Sequence, residues 1–334
     1  MKSEDFDYNL PKNLIASYPK DNRDQSRLLV LNKEKKSIDH KNFYNLTDYL
    51  VPGDLLILNN TKVIPAKLTG VRDGKEVELL LTNRINSSEW NMLISKPKYD
   101  SVISFQDGLT GKLAKDNQNE WVVAFNKDAD EYIEHYGKMP LPPYIERESE
   151  ERDKETYQTI YAKKDGAIAA PTAGLHFTRE LMDDIRNQCV DIKFITLHVG
   201  VGTFRPVKTE KIEDHIMHQE YVEISEDTSR AVNFAKKSSR RVIAVGTTAV
   251  RALESAADEE GIINPYSDFT DLFIYPPYKY KIVDAIITNF HLPKSTLLML
   301  VSAFCGRKFL FKSYNAAIEE NYRFLSYGDS MFIY

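Results

Sequence analysis

Short alternations of apolar and polar residues follow one another between about Val63 and Asn126. Turn signals such as Asp73-Gly74 separate them. Period-two alternation between turn residues is typical of half-buried β-strands. The pattern therefore predicts a small β-barrel, with strands in the segments 63–71, 75–81, 89–95, 101–106, 109–115 and 120–125.

A short helix and a linker are predicted after the barrel. Residues 128–135 have a helical pattern, and residues 137–144 contain three prolines. Each proline fixes φ and removes a hydrogen-bond donor, so this stretch is expected to be extended. The charged run 146–155 is expected to be a solvated surface segment.

From about Ala167 onwards, apolar strands alternate with amphipathic helices. Such alternation predicts βαβ units on a mostly parallel sheet with flanking helices, an α/β fold. The predicted strands are 189–199, 240–246, 271–276 and 282–290, and the predicted helices are 225–238, 247–258, 295–304 and 311–322.

The N-terminal part holds one strongly apolar strand, residues 54–59, after the Pro52-Gly53 turn. Because this part has too few elements for a domain of its own, we expect it to join the C-terminal sheet. The predicted organisation is a discontinuous α/β domain of residues 1–62 plus 151–334. Residues 63–150 form the inserted β-barrel domain with its linker.

Composition narrows the function classes. The 334 residues carry 44 Lys+Arg against 49 Asp+Glu, a net charge of −5, which argues against a general nucleic-acid coat protein but allows a local basic face. Only Cys189 and Cys305 are present, which excludes a disulfide framework and multi-cysteine metal motifs. With no apolar run of about 20 residues and no secretory pattern at the N-terminus, a cytoplasmic location is expected.

Four loops share one design, in which an apolar strand ends and small or polar residues follow. Because the carboxyl ends of the strands of an open α/β sheet border its ligand crevice, these loops are expected to form one pocket. They are residues 170–178, 197–206, 245–251 and 288–296.

Two glycine turns in these loops have alternative interpretations. The Gly246-Thr247-Thr248 turn can direct N–H groups and hydroxyls at an anion, or it can be an ordinary turn with a threonine cap. Gly200 and Gly202 match half of a dinucleotide fingerprint, but Arg205 occupies the position of the third glycine. A tight turn is therefore favoured over a nicotinamide site.

Five of the seven histidines lie in or near these loops. Imidazoles titrate near neutral pH, so they are candidates for proton transfer, although only one or two can be the acid or base. The spacing of His215, His218 and Glu220 also allows a metal-dependent hydrolase as an alternative, without the usual helical zinc arrangement. The five are His176, His198, His215, His218 and His291.

Long, compositionally unusual segments of the chain resemble the QueA family, the S-adenosylmethionine:tRNA ribosyltransferase-isomerases of queuosine biosynthesis. The four loops carry the longest of them: APTAGLHF at 170–177, LHVGVGTFRPV at 197–207 and TNFHLPKSTLLMLVSAF at 288–304. Further matches are FDYNLP at 6–11, SRLL at 26–29, PGDLLILN at 52–59, VIPA at 63–66, MPLPPYI at 139–145, YQT at 157–159, HIMH at 215–218 and YRFLSYGD at 322–329.

The resemblance implies transfer and isomerisation of the ribosyl group of S-adenosylmethionine. The acceptor would be the aminomethyl arm of 7-aminomethyl-7-deazaguanine at the wobble position of a tRNA, and the product would be epoxyqueuosine-tRNA with release of adenine and methionine. S-adenosylmethionine would be a consumed substrate, and neither a cofactor, a metal nor an obligate protein partner is expected. A non-catalytic RNA-binding module built on the barrel is the further alternative.

The resemblance and the chemistry suggest roles for individual residues. His198 and His291 are the candidates for base and acid, without assignment of which is which. Lys236, Lys237, Arg240 and Arg241 are the candidate tRNA-binding cluster, with Lys96 and Lys98 as a second. Candidate substrate-binding residues are Thr172, Gly174, His176, Phe177, Gly200, Gly202, Thr203, Phe204, Arg205, Thr247, Thr248, Arg251, Asn289, Phe290 and Ser295.

Some positions depart from the family pattern. Asn60-Thr-Lys62 and Lys67 replace Asp-Thr-Arg and Arg, and Pro276-Pro277 replaces Pro-Gly. Asn60 therefore receives no acid or base role, and bidentate contacts from either lysine are not expected.

Overall fold

The computed structural model describes residues 1–117, 119–200, 202 and 206–334. Short 3-10 helices include Ser3–Phe6, Lys12–Leu14, Arg23–Gln25, Phe43–Tyr49, Gln106–Gly108, Thr172–His176 and Ile212–Asp214. In chain order the other elements of the described residues are β1 Arg27–Asn32, β2 Ser37–Asn42, β3 Leu55–Asn59, β4 Thr61–Val63, β5 Lys67–Arg72, β6 Lys75–Arg84, β7 Glu89–Ile94, β8 Val102–Ser104, β9 Thr110–Lys115, β10 Trp121–Phe125, α1 Asp130–Tyr136, α2 Asp153–Thr156, β11 Lys164–Ala167, α3 Arg179–Asn187, β12 Asp191–Leu197, β13 Glu220–Ile224, α4 Glu226–Lys237, β14 Val242–Val245, α5 Thr247–Ala256, β15 Tyr266–Thr270, β16 Ala285–Asn289, α6 Thr296–Cys305, α7 Arg307–Glu319 and β17 Ser330–Ile333.

The main sheet has the strand order β15-β13-β12-β3-β14-β16-β17-β1-β2 in the described residues. Its four central strands, β12, β3, β14 and β16, are parallel, as the βαβ pattern predicts. On one flank β13 and β15 are antiparallel, and on the other β17 is antiparallel to β16. The α/β fold class is confirmed, with a sheet that is parallel at its centre and mixed overall.

The strand from the N-terminal part occupies the middle of this sheet. Leu56 in β3 pairs with Ile192 in β12 on one side and with Ile243 in β14 on the other. β1 lies parallel to β17 at the other end of the chain. The first 60 residues therefore share a sheet with the C-terminal part, while the exact domain boundaries stay a prediction.

The central strands are apolar on both faces because both faces are covered. In β3, Leu55 and Ile57 pack into one core with residues of α4, α5 and α6, whereas Leu56 and Leu58 pack into a second core with Phe43 and residues of α3. Burial on both faces explains why these strands read as continuous apolar runs without alternation.

The inserted segment forms a closed barrel with the order β10-β7-β6-β5-β8-β9 in the described residues. All six predicted strands are present. The barrel core includes Leu68, Leu79, Trp90 and Val123, and α1 adds Tyr132 to it. The alternating pattern therefore arises from strands with one face in this small core and one in solvent.

Two expectations about local structure are wrong. Residues 271–276 are not a strand in the described structure; β15 lies just before them and pairs with β13. The charged run 146–155 is not simply solvated, because Asp153 is fully buried and accepts two hydrogen bonds of 2.7 Å from Arg147. Tyr327 also donates to Asp153, so this segment is attached to the C-terminal part.

Among the described residues, none of the helices combines the length and apolar character that crossing a membrane would require.

Candidate active site

The four predicted loops border one cavity at the carboxyl ends of the central strands. Thr172, Val199, Thr247 and His291 each represent one of these loops in its lining. The cavity is bounded further by residues that lie outside the four predicted loops, and these are Tyr144, Leu297, Leu325 and Ser326. The sheet thus brings together residues more than 100 positions apart in the chain.

His291 lines this cavity and has one unpaired, buried ring nitrogen. Its side chain is buried, its Nε2 lies 3.2 Å from Thr288 Oγ1, and its Nδ1 has no hydrogen-bond partner among the described residues. Burial lowers the pKa of His291 to about 3, because the charged form loses its hydration. The imidazole is therefore neutral at physiological pH.

Two tyrosines fix the main chain of His291. Its N–H donates to the Tyr314 hydroxyl at 3.0 Å, and its carbonyl accepts from the Tyr8 hydroxyl at 2.5 Å. The two rings are in edge contact, with centroids 5.2 Å apart. Tyr8, two residues after the first 3-10 helix, and Tyr314 of α7 thus hold the main chain of His291 in place.

His176 belongs to a buried network behind the cavity. The Asn289 amide nitrogen lies 3.1 Å from the Leu325 carbonyl, so this atom is a donor, and it also donates to His176 Nε2 at 3.2 Å. Nδ1 of His176 then carries the proton and lies 2.7 Å from Ser26 Oγ. Burial lowers the pKa of His176 to about 4, so this ring stays neutral and its nitrogens are occupied.

The same network fixes two predicted binding residues at the cavity wall. The Thr172 hydroxyl donates to Asn289 Oδ1 at 3.0 Å, and both residues line the cavity. His176 therefore acts as a structural support for Asn289 and Thr172 rather than as a proton carrier.

The N-terminus of α5 opens on the cavity. Gly246, with φ of +89°, precedes the helix, and Thr247 and Thr248 begin it. Asn59, at the end of β3, donates to Thr248 Oγ1 at 3.2 Å and is fully buried. Backbone N–H groups in a first helical turn lack intrahelical partners and favour an anion.

His198 lies beside the cavity but is not part of its lining. Its neighbour Val199 lines the cavity, whereas the His198 ring contacts Thr61 and Tyr221. Nδ1 is 2.8 Å from Thr61 Oγ1, and a Cβ on Gly166 would be 3.0 Å from the ring. Burial and then the nearby Lys164 charge lower the pKa of His198.

The Arg251 side chain is buried and binds other residues of the protein. Its guanidinium forms a buried ion pair with Glu220 and donates to the Leu272 carbonyl at 3.0 Å. Glu220 also accepts from the Gly200 N–H at 2.8 Å. The Arg251 side chain therefore joins α5 to β13 and is not in the cavity lining.

The remaining predicted binding residues have different environments. Phe177 is fully buried in the second core against Phe43. Phe290 and Ser295 line the cavity, although Ser295 also caps α6 by accepting from the Leu298 N–H.

Two glycines, one in each of two predicted loops, stand where a side chain would not fit. A Cβ on Gly174 would lie 2.0 Å from the Tyr161 hydroxyl, and one on Gly202 would lie 2.6 Å from the His218 ring. Thr203, Phe204 and Arg205 lie outside the described residues.

The three residues proposed for the metal-dependent hydrolase do not form a ligand cluster in the described structure. Glu220 is paired with Arg251, His215 packs edge-on against Phe273, and His218 lies against Gly202. Within the described part of the chain, no three His, Cys, Asp or Glu side chains come together as metal ligands would.

The predicted tRNA-binding cluster lies at the amino ends of the central strands, whereas the cavity lies at their carboxyl ends. Arg240 and Arg241 precede β14, whose other end leads to the cavity, and a strand of this length spans roughly 13 Å. Lys236 pairs with Asp284 at 2.7 Å, and Arg241 binds Asp54. Two of the four cations are thus neutralised internally.

Sequence reasoning missed several residues of the cavity region. Tyr144 and Ser326 face the cavity and bond to each other at 2.6 Å, and Tyr8 holds His291. All three lie in segments that carry the family resemblance, but nothing in their local pattern links them to the four loops. Their proximity depends on the tertiary fold.

Comparisons with known proteins agree with this architecture. A family model described as queuosine biosynthesis protein matches residues 3–333. Curated relatives named S-adenosylmethionine:tRNA ribosyltransferase-isomerase, from Sulfurihydrogenibium sp. (strain YO3AOP1) and Carboxydothermus hydrogenoformans, are each 51% identical over the full length of both chains.

A solved structure extends the agreement to the fold. The crystal structure of S-adenosylmethionine tRNA ribosyltransferase from Thermotoga maritima is similar with a TM-score of 0.58 and 34% identity, covering 99% of this chain and 100% of that one. The matched sequence spans both the sheet and the inserted barrel. On this evidence the chain belongs to the queuosine biosynthesis protein family.

Proposed function

We propose that this protein transfers and isomerises the ribosyl moiety of S-adenosylmethionine onto the 7-aminomethyl group of 7-aminomethyl-7-deazaguanine at the tRNA wobble position. The products are epoxyqueuosine-tRNA, adenine and methionine. Membership of the family and the names of two relatives of full matching length support this reaction. S-adenosylmethionine is consumed, and the reaction takes place in the cytoplasm.

The chemistry requires proton transfer beside a sulfonium. The positive sulfur acidifies the C5′ hydrogens, so a modest base can start the reaction. Methionine leaves as a neutral thioether, and adenine leaves more readily when its nitrogen is protonated. The site must therefore hold one group that accepts a proton and one that donates a proton.

The observation that carries the proposal is that His291, whose buried Nδ1 has no partner among the described residues, lines a cavity that also receives the start of α5. In the tautomer in which Nε2 carries the hydrogen and donates to Thr288 Oγ1, the neutral imidazole has a lone pair on Nδ1 that can accept a proton from substrate. The N–H groups at the start of α5, with the Thr247 and Thr248 hydroxyls, suit the methionyl carboxylate. We assign His291 as the base, and His198 as the acid stays a prediction.

Aromatic and polar cavity residues support the remaining contacts. Phe290 is in the lining, but its ring is 1% exposed and packs against Tyr314 and Phe324, so a ring contact with the sulfonium or adenine stays a prediction. Thr172 and Asn289, fixed by His176, offer hydrogen bonds to the adenosyl group.

Isotopic labelling tests the proposal. Purified protein is incubated with the tRNA substrate and S-adenosylmethionine labelled either in the ribosyl carbons or in the S-methyl carbon. Ribosyl label should enter the tRNA, and methyl label should be recovered in methionine. Methyl label in the tRNA would indicate a methyltransferase instead.

Absence of S-adenosylmethionine binding by folded protein would favour the non-catalytic RNA-binding module. Isothermal titration with S-adenosylmethionine alone distinguishes this module from an enzyme that binds its small substrate but lacks the correct tRNA.

A further inference from the structure

Three aromatic side chains form a row across one face of the sheet edge. His198 follows β12, Tyr221 is its cross-strand neighbour in β13, and Phe269 pairs with Tyr221 in β15. The rings of His198 and Tyr221 are stacked with centroids 5.8 Å apart, and those of Tyr221 and Phe269 are 5.7 Å apart in edge contact. We call these three residues the aromatic row.

The outer end of the aromatic row is exposed to solvent. The Phe269 side chain is 57% exposed, although an apolar core covers the opposite face of the same strands through Val222 and Ile224. Since β13 and β15 alternate between the two faces, Phe269 and Tyr221 lie on the uncovered one. An exposed phenylalanine in register with two further rings is available for a flat ligand.

The inner end of the aromatic row lies next to the cavity. A Cβ on Gly166 would lie 3.0 Å from the His198 ring, and Ala170, four residues later, lines the cavity. Val199, the residue after His198, also lines the cavity. The inner end of the row is therefore one residue away from the cavity lining along the chain.

Charged residues of both signs lie beside the row. Lys62 lies on β4 and Lys164 on β11, with the exposed Lys163 just before it. Lys62 pairs with Asp165 at 3.0 Å and Lys164 with Glu223 at 2.5 Å, so these two lysines are neutralised by neighbours. Asp268 precedes Phe269 and Asp271 follows it by two residues, so the row is not a positive patch and stacking, not charge, is the interaction it offers to RNA.

We propose that the aromatic row is the surface on which unpaired bases of the tRNA anticodon loop stack, so that the wobble nucleoside reaches the cavity. The proposal rests on the proposed function for the presence of tRNA. Bases of single-stranded RNA stack on aromatic side chains, and an exposed sheet face with aligned rings is a known way to bind them. The row also replaces the basic cluster at the amino ends of the central strands as the RNA-binding surface.

Two equally exposed phenylalanines allow a matched test. Phe269→Ala removes the outer ring of the row, and Phe234→Ala removes a phenylalanine, 59% exposed, that lies beside Arg240 in the basic cluster. Binding of a synthetic anticodon stem-loop RNA is measured by fluorescence anisotropy over a range of salt concentrations. We expect Phe269→Ala to weaken binding roughly tenfold, and Phe234→Ala to leave it unchanged.

Further readouts separate stacking from other effects. Phe269→Tyr should retain binding and Phe269→Leu should not, because only the first keeps a ring. The salt slope should be the same in all variants, since no phosphate contact is removed. The KM for S-adenosylmethionine should not change.

Unchanged RNA binding in Phe269→Ala, or a loss in Phe234→Ala alone, would overturn the proposal, as would wild-type protein that does not bind the stem-loop. Wild-type protein that binds the RNA but transfers no ribosyl group would refute the proposed function instead. The comparison of the two phenylalanines would still decide where RNA binds.

Discussion

Hydrogen-bond partners, more than burial or residue type, separate the histidines of this site. His176 and His291 are both buried and neutral, yet His176 has both nitrogens occupied and His291 has one free. From the sequence the two are equivalent loop histidines, because the partners of His176 come from Ser26 and from Asn289. Hydrogen-bond partners distant in sequence thus decide which histidine is available for chemistry.

The first prediction concerns catalysis by His291. His291→Gln should lower the rate of adenine release by about 100-fold or more, because a positioned general base contributes on the order of 10²–10⁴. Liquid chromatography of adenine under saturating substrates measures this rate. His135→Gln, on the exposed side of α1 in the barrel, is the matched control and should retain wild-type activity; a His291→Gln enzyme with normal kcat would remove the assigned role.

The second prediction concerns pH and stability. Folded His176 and His291 have pKa values of about 4 and about 3, below the usual value near 6.5 that they regain on unfolding. Between about pH 6.5 and 4 the unfolded state therefore binds more protons, so acidification should reduce the free energy of unfolding.

Urea titrations at pH 7 and pH 5 measure this loss. A double variant, His176→Gln with His291→Gln, should show a smaller difference between the two pH values than the wild type. An equal pH dependence in both proteins would show that these histidines do not account for it.

For some predicted binding residues, the position in a loop was enough to place them in the cavity lining, while their role in binding substrate stays a prediction. Thr247, Thr248 and Asn289 line the cavity because each ends a strand or begins a helix at the carboxyl edge. Phe177 belongs to such a loop but points into the second core. Loop membership does not determine the direction of a side chain.

At the element scale, a buried ion pair connects α5 with β13. Arg251 and Glu220 are both almost fully buried, so removing one partner leaves an uncompensated charge. The third prediction is that Arg251→Met lowers the free energy of unfolding by about 3 kcal/mol, measured by chemical denaturation.

The double variant Arg251→Met with Glu220→Gln should recover much of that stability, because no charge remains unpaired. A substrate-binding role for Arg251 predicts a different result, a raised KM for S-adenosylmethionine without loss of stability. That outcome would contradict the structural assignment.

Elements with strong periodicity were predicted correctly, and the failure at 271–276 has a physical reason. This apolar stretch reads as a buried strand, but Leu272 accepts the Arg251 hydrogen bond through its carbonyl and packs on the core without a strand partner in the described residues. The actual edge strand β15 is polar and exposed in part, so its sequence gives little signal.

At the scale of the whole molecule, the segment that leaves the barrel returns to the sheet and supplies Tyr144 to the cavity. Arg147 and Tyr327 both bond to the buried Asp153 and so fasten this segment. The fourth prediction is that Asp153→Ala lowers stability by about 3 kcal/mol and raises the KM for S-adenosylmethionine, because Tyr144 loses its support.

Thermal unfolding and initial-rate kinetics measure the two effects. Asp165→Ala is a suitable control, because its partner Lys62 is exposed and surface pairs contribute little. Reduced stability with an unchanged KM would separate Tyr144 from substrate binding.

Global architecture was the part best predicted from sequence, since barrel strands and βαβ units have different periodicities. The location of the basic cluster was not predictable in this way. Charge density along the chain does not show which edge of the sheet a segment occupies, and Arg240 and Arg241 precede β14 at the edge far from the cavity.

Mass spectrometry of the tRNA nucleosides tests the central claim most directly. Purified protein, S-adenosylmethionine and tRNA bearing 7-aminomethyl-7-deazaguanine at the wobble position are combined, and free adenine, methionine and the modified nucleoside are quantified together. The account predicts conversion of the wobble nucleoside to epoxyqueuosine with one adenine and one methionine released per conversion. An unmodified wobble nucleoside and no free adenine, from folded protein that binds both substrates, would contradict it.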